Sequence, residues 1–352
     1  MDRRHACRAP RLAPGSGADG GPITRRWTEQ RWTLDNIIQA NGMDWDHPRS
    51  QYLNGPCGPQ ANADFAAIRA RIRKLADAAP AFEQAARRFP FAHPERPDLK
   101  SVPVQGPIEN QVEQMKEFGL KYAVLVTPRY YGWNPLYTSY ALRKYPKLFV
   151  AHGLIDPLDP KVHERLRYWV KEHGFQGMRF SPIYHPKSTW LNSKEHYPLW
   201  KEAEKLGAVF NYYILPHQMP MLEEMCGRFP GVKVVVDHAG KPDLKLADPW
   251  PEFKKMFRLS KFKQVWISNS EPYEMTELKK YPYEDTWPFY KAIYEEFGGR
   301  QIIWGTGYPR PRWELPMDKE LEFVDKYCSF YSDADRALIL GENALRIWRF
   351  PK

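Results

Sequence analysis

Cysteine is scarce and scattered. The four in 352 residues, Cys7, Cys57, Cys226 and Cys328, show no paired spacing, which argues against a zinc knuckle, a redox pair or a disulfide framework. They are expected to be reduced, and the last two buried. Long apolar runs are missing as well. No stretch of about 18 apolar residues occurs, and the first thirty residues lack the apolar segment of a signal peptide, so neither a membrane-spanning helix nor secretion is supported. A cytoplasmic protein is expected. No glycine-rich phosphate fingerprint follows any strand-like segment, which lowers the case for dinucleotide binding.

Charge is plentiful but not clustered. Fifty-two basic residues against 42 acidic ones leave a formal net charge of +10, yet the basic residues are spread along helical segments and interleaved with acids. That distribution describes a solvated surface better than a nucleic-acid patch. An acidic small-molecule substrate is compatible with the same surplus. The expected partner is therefore a small-molecule substrate, with no nucleic acid and no membrane, and the sequence leaves a homo-oligomer open. With 43% apolar and 14% aromatic residues, the chain can bury a large core.

Residues 1–26, rich in Arg, Gly, Ala and Pro without an apolar period, read as a disordered tail. Residues 27–105 read as a helical arm and a proline-rich connector: Phe65, Ile68, Ile72 and Leu75 recur at spacings of three and four, and Asp64 can cap the run. From residue 106 to 352 amphipathic helices alternate with short β-branched strands, the pattern of βα units around a parallel sheet. The strands are placed at 122–127, 148–154, 177–180, 209–214, 232–237, 264–268 and 301–304. Seven strands in strict alternation predict an α/β fold, a (β/α)8 TIM barrel whose first strand is atypical or missing, with an N-terminal helical extension. Residues 89–93 are a candidate for the missing strand and would bring His93 near the mouth.

In such a barrel chemistry belongs at the C-terminal ends of the strands. Those ends supply Tyr130, Tyr131 and Trp133, then His152, Arg179, Tyr213, His238, Asn269 and Trp304. Arg179 can hold a carboxylate in a bidentate fork, His238 can move a proton near neutrality, and the aromatic groups can wall a planar ligand. Asp237 and its neighbour His238 should face opposite sides of a regular strand, which disfavours a direct dyad. His185, His196 and His217, in loops, are expected to be solvated.

The segments EQMKEFGLKYAVLVTP, YYGWNPLYTSYAL, FVAHGLIDP, FQGMRFSP, LEEMCGRFPGVKVVVDHAGKP, IIWGTGYP and GENALRIW occur in that order between Gly106 and Phe350. Together they resemble the amidohydrolase-related family of TIM barrels, in the branch of lactonases and aminocarboxymuconate-type decarboxylases. The resemblance implies a metal site built from an Asp-x-His-x-His or Glu-x-His-x-His motif on the first strand, a strand-five histidine, a further histidine and a strand-eight aspartate that also takes the proton from water. Here no such first-strand motif precedes Gly106, the strand-five position is Tyr213, and the aspartate position is Gly307. His238 alone is filled as the family fills it.

One histidine cannot hold a divalent ion that needs three or four donors, so no catalytic metal and no cofactor are expected. Glycine at 307 accepts no proton, which leaves water activation to His238. The expected function is a metal-independent hydrolase, lactonase-like, acting on a small lactone or carboxylated ring. His238, Arg179 and Tyr213 would be catalytic, and Tyr131, Trp133, His152, Asn269 and Trp304 would bind substrate. The alternatives are an inactive barrel that binds a ligand or partner, and a metal-free decarboxylase or lyase.

Overall fold

The computed structural model describes residues 108–308, 315 and 317–351. The expected tail, helical arm and candidate strand at 89–93 lie outside the described residues. The chain divides into two compact units, Met1–Glu113 with Tyr130–Gly132, and Gln114–Arg129 with Trp133–Lys352. Only the second carries the sheet.

Seven strands, β1 Ala123–Val126, β2 Phe149–Leu154, β3 Gly177–Phe180, β4 Val209–Tyr212, β5 Lys233–Val236, β6 Val265–Asn269 and β7 Ile302–Trp304, pair in parallel and in sequence order. Helix α1 Ile108–Glu117 precedes β1, and between the strands run α2 Leu136–Lys144, α3 Val162–His173, α4 Tyr197–Leu206, α5 Met219–Arg228, α6 Trp250–Phe253, α7 Pro272–Met275 and α8 Trp287–Phe297. Among the described residues after β7 come α9 Met317–Glu322, α10 Asp333–Ala337 and α11 Asn343–Ile347. This sequential α/β order is TIM-barrel-like. No eighth strand occurs among the described residues.

The helices stop where the sequence stops them. Both α3 and α4 end on glycines with left-handed backbone, Gly174 at φ 71° and Gly207 at φ 64°, a conformation that carries no Cβ penalty only in glycine. Helix α4 buries the stripe Leu199, Trp200 and Ala203, and α3 buries Val162, Leu166 and Trp169.

Strands β2, β4 and β6 are buried on both faces while β1 is half-buried throughout, and the two faces of the sheet serve different cores. Met178, Phe180, Phe210, Tyr212, Val234, Val236, Ile267 and Ile302 pack with the helices in the larger cluster. The opposite face gathers Val150, Val209, Val235, Trp266 and Ile303 with Ile347 and Trp348. Side chains from five strands can meet in this way only if the sheet curls, so this second cluster is the barrel interior. A fully buried Val or Ile contributes roughly 1.5–3 kcal/mol.

The C-terminal segment closes one end of that interior. Lys233, the first residue of β5, donates its Nζ to the carbonyls of Arg346 and Ile347 at 3.0 and 2.9 Å. Gln176, just before β3, bonds the backbone of Arg349 through both its side-chain nitrogen and oxygen. Tyr122, before β1, stacks on Phe350 and donates to the Pro351 carbonyl. All three contacts lie at strand starts, which places the C-terminal segment at the end of the sheet opposite the strand ends.

Candidate functional site

Alternation along each strand decides which side chains enter the barrel. One step above the apolar layer of Val150, Val209 and Val235 the interior turns polar, with His152, Asn211 and Asp237. The Trp348 indole N–H donates to His152 Nε2 at 2.7 Å. Accepting there puts the imidazole proton on Nδ1. Burial lowers the His152 pKa from 6.5 to about 3, with Asn211 offsetting part of the shift. His152 Nδ1 and Asn211 Oδ1 are each buried without a hydrogen bond, and in this tautomer they are a matched donor and acceptor.

The polar chain continues toward the mouth. Asn211 Nδ2 donates to Asp237 Oδ1 at 3.0 Å, and Arg179 Nε donates to Asp237 Oδ2 at 2.9 Å. Arg179 Nη2 lies 3.2 Å from His238 Nε2. A guanidinium only donates, so His238 Nε2 must accept and its proton sits on Nδ1. That nitrogen is 2.8 Å from Ser270 Oγ and 3.4 Å from Glu271 Oε2. For Arg179, burial works against the charge, but Asp237, Tyr184, Tyr213 and Glu271 together hold its pKa above the ordinary value.

Aromatic rings wall the cluster. The Tyr213 ring stands edge-on to His238 at 5.0 Å and under the Arg179 guanidinium at 4.9 Å. Tyr184 meets Tyr213 at 5.8 Å and carries the Arg129 guanidinium 3.1 Å above its ring. The Tyr213 hydroxyl donates to Glu274 Oε2 at 3.4 Å, and Lys241 pairs with the same carboxylate.

The structure therefore brings His238, Arg179 and Tyr213 together. Asp237 makes no direct bond to His238 among the described residues, as expected, but both enter the interior. β5 ends at Val236, and His238 takes φ 50°, which breaks the alternation assumed for a regular strand.

The five further residues are placed differently. His152 lies inside the barrel but at the depth of Trp348, wholly buried. Asn269 and Trp304 are not brought to the cluster, because strand parity turns both toward the helices: Asn269 Nδ2 donates to Tyr331 at 2.6 Å, and Trp304 packs against the helix-side core. Trp133 is half-buried in the loop after β1, and Tyr131, in the first unit, is buried within the turn Arg129–Tyr131. Tyr130 lies in the same turn. His196 departs from its expected solvation, since a 3-10 turn tucks it against Trp190 and bonds its Nε2 to the Pro157 carbonyl at 2.6 Å.

Sequence reasoning missed Asp237 as an interior group, and Ser270, Glu271, Lys241 and Glu274 altogether. Polar residues at the ends of otherwise apolar strands, in Val-Val-Val-Asp and Ile-Ser-Asn-Ser, were the available signal.

The sequence matches the amidohydrolase family over residues 83–350. It is 24% identical over 265 residues to the 4-sulfomuconolactone hydrolase of Rhizobium radiobacter, covering 74% of this chain and 85% of that protein. It is 28% identical over 153 residues to the 2-pyrone-4,6-dicarboxylate hydrolase of Comamonas testosteroni, covering 41% of this chain and 50% of that protein. Among solved structures it resembles a probable 2-pyrone-4,6-dicarboxylic acid hydrolase of Acinetobacter baumannii holding citric acid, with a TM-score of 0.59, 20% identity and coverage of 68% and 88% of the two chains. An amidohydrolase from Burkholderia multivorans with bound zinc gives a TM-score of 0.58 at 18% identity, covering 69% and 88%.

Among the described residues the donors near His238 are already engaged. Arg179 occupies Nε2 of His238, Asp237 is held by Arg179 and Asn211, and Glu274 is held by Lys241. Among the described residues no group of three or more His, Cys, Asp or Glu side chains could hold a metal. Kinship rests on the family match over most of the chain and on the ordered fold. The chain belongs to the amidohydrolase family.

Proposed function

We propose that the protein hydrolyses a small lactone bearing at least one carboxylate, and that it does so without a metal. The observation that carries this reading is the convergence of Arg179, His238 and Tyr213 at the C-terminal ends of β3, β4 and β5. The relatives named above, hydrolases of a sulfomuconolactone and a pyrone dicarboxylate, support a ring ester that carries anionic groups.

Each side chain has a part suited to its chemistry. Arg179 spends Nε on Asp237 and Nη2 on His238, which leaves Nη1 for the substrate carboxylate. Arg129, over Tyr184, adds positive charge on the same side. The Tyr213 hydroxyl turns its one proton from Glu274, which keeps Lys241 as partner, to the oxyanion that forms when water attacks the ring carbonyl. His238, fixed as the neutral Nδ1–H tautomer between Arg179 and Ser270, serves the proton transfer. A lactone is an activated ester, so this set can suffice where amide or phosphate ester hydrolysis would demand more.

A panel of anionic and neutral lactones, assayed by release of acid, tests the proposal. We expect turnover of at least one anionic lactone, and a loss of roughly 10²-fold or more in kcat/KM in His238→Ala. Turnover of none, or a His238→Ala variant that matches the wild type, would overturn it.

A further inference from the structure

Gly307 stands where the resemblance puts a carboxylate, and its neighbours explain why it is glycine. A Cβ built on Gly307 would lie 2.8 Å from Glu271 Cδ, and closer still to Glu271 Oε1 and the Tyr273 hydroxyl. The backbone there is not left-handed, unlike that of Gly240 at φ +69°, so any L residue could adopt it. Space, not conformation, forbids a side chain. The space is filled by a carboxylate that arrives from the end of β6.

Glu271 is held there at a cost. It is 6% exposed, and taking a carboxylate out of water carries a desolvation cost. Its backbone takes φ 56° and ψ 49°, a region that costs a residue with a side chain on the order of 1 kcal/mol or more and concentrates at functional positions. The strain turns its side chain into the barrel mouth beside His238. With Nε2 facing an obligate donor in Arg179, His238 serves proton transfer by donating from Nδ1, which lies 3.4 Å from Glu271 Oε2, and leaves the proton of water to another group.

We propose that Glu271 is the group that takes the proton from the attacking water, seated from β6 in the volume that a side chain at position 307 would otherwise fill. The inference rests on the lactone hydrolysis reading above. Water loses a proton to the Glu271 carboxylate as its oxygen bonds to the lactone carbonyl carbon, whose π electrons move to the oxygen beside Tyr213. When that oxyanion collapses, the ring C–O bond breaks and Glu271 returns the proton to the departing ring oxygen. The product is the ring-opened hydroxy acid, whose new carboxyl group then ionises.

The test uses the full chain and a lactone that the panel shows to be turned over. In Glu271→Gln, kcat should fall roughly 10²- to 10⁴-fold, while KM and binding of the ring-opened product, measured by calorimetry, stay within about threefold of wild type. Gly307→Ala, which keeps Glu271 but displaces its carboxylate, should lose kcat in the same way. Combining Glu271→Ala with Gly307→Asp moves the carboxylate to the other strand and should recover at least about tenfold over Glu271→Ala alone. A Glu271→Gln variant with undiminished kcat would overturn the assignment of Glu271 while leaving the lactonase reading intact. A wild type inactive on every lactone would overturn that reading and the assignment with it. Should Glu271→Gln fail to fold, an undiminished kcat in Gly307→Ala would overturn the assignment equally.

Discussion

Acid should weaken this barrel through one imidazole. His152 is wholly buried, accepts the Trp348 indole N–H, and has its pKa lowered from 6.5 to about 3, mainly by burial. The folded-state pKa lies below the unfolded one, so protons bind preferentially to the unfolded chain. The contribution of the neutral ring is complete above pH 6.5 and is lost as pH falls toward 3. Each unit within that window is worth ~1.4 kcal/mol, or roughly 2 kcal/mol by pH 5 and about 3 kcal/mol by pH 4. Urea unfolding of the wild type and His152→Gln, followed by tryptophan fluorescence, isolates this effect, because every other titrating group is common to both chains. The glutamine carbonyl can still accept from Trp348. Between about pH 7 and pH 5 the stability gap should move by roughly 2 kcal/mol in favour of the variant. Parallel pH profiles would refute the reasoning, since they would mean that the ring bears its proton equally well in both states.

Other substitutions probe separate links. Gly177→Ala should cost about 3 kcal/mol or more, because its Cβ would fall 2.8 Å from the Val209 carbonyl carbon and nearer its oxygen, and a strand backbone cannot swing aside; urea midpoints measure it. Arg179→Met should destabilise by roughly 3–5 kcal/mol by stranding Asp237 in the interior, and adding Asp237→Asn should recover part of that loss in the same assay. Glu320 is buried with Oε1 unpartnered, and burial, with the charge of Glu271 adding, pushes its pKa well above the ordinary value. Its raised folded-state pKa means that stability present below 4.5 is lost as pH rises. Glu320→Gln should therefore gain at least ~1.4 kcal/mol over wild type near pH 8, and nothing near pH 4, as read by unfolding midpoints.

The sheet was legible because its strands carry a strong local signal. Each is a short β-branched or aromatic run between amphipathic helices, and the expected 177–180 and 209–214 lie on or within two residues of β3 and β4. What the runs conceal is parity. A strand buried on both faces shows no apolar–polar alternation, so nothing in Ile-Ser-Asn or Ile-Ile-Trp marks Asn269 and Trp304 as facing the helices. Counting outward from Arg179 through its register partner Asn211 would have separated the two faces. The cluster at the mouth was half legible. His238 and Arg179 carry their chemistry in their residue type, whereas Glu271 reaches the site only through a left-handed turn after β6. Helix α9 was harder still, because 317–322 has no strand after it to frame it.

The account depends most on a cluster that hydrolyses an anionic lactone with its own side chains. Turnover measured after exhaustive chelation, with the metal content of the same sample determined by mass spectrometry, tests this most directly. The account predicts undiminished kcat/KM at well under one metal ion per about ten chains, and no gain on adding zinc or manganese. Activity that disappears with the metal and returns on adding it back would contradict it.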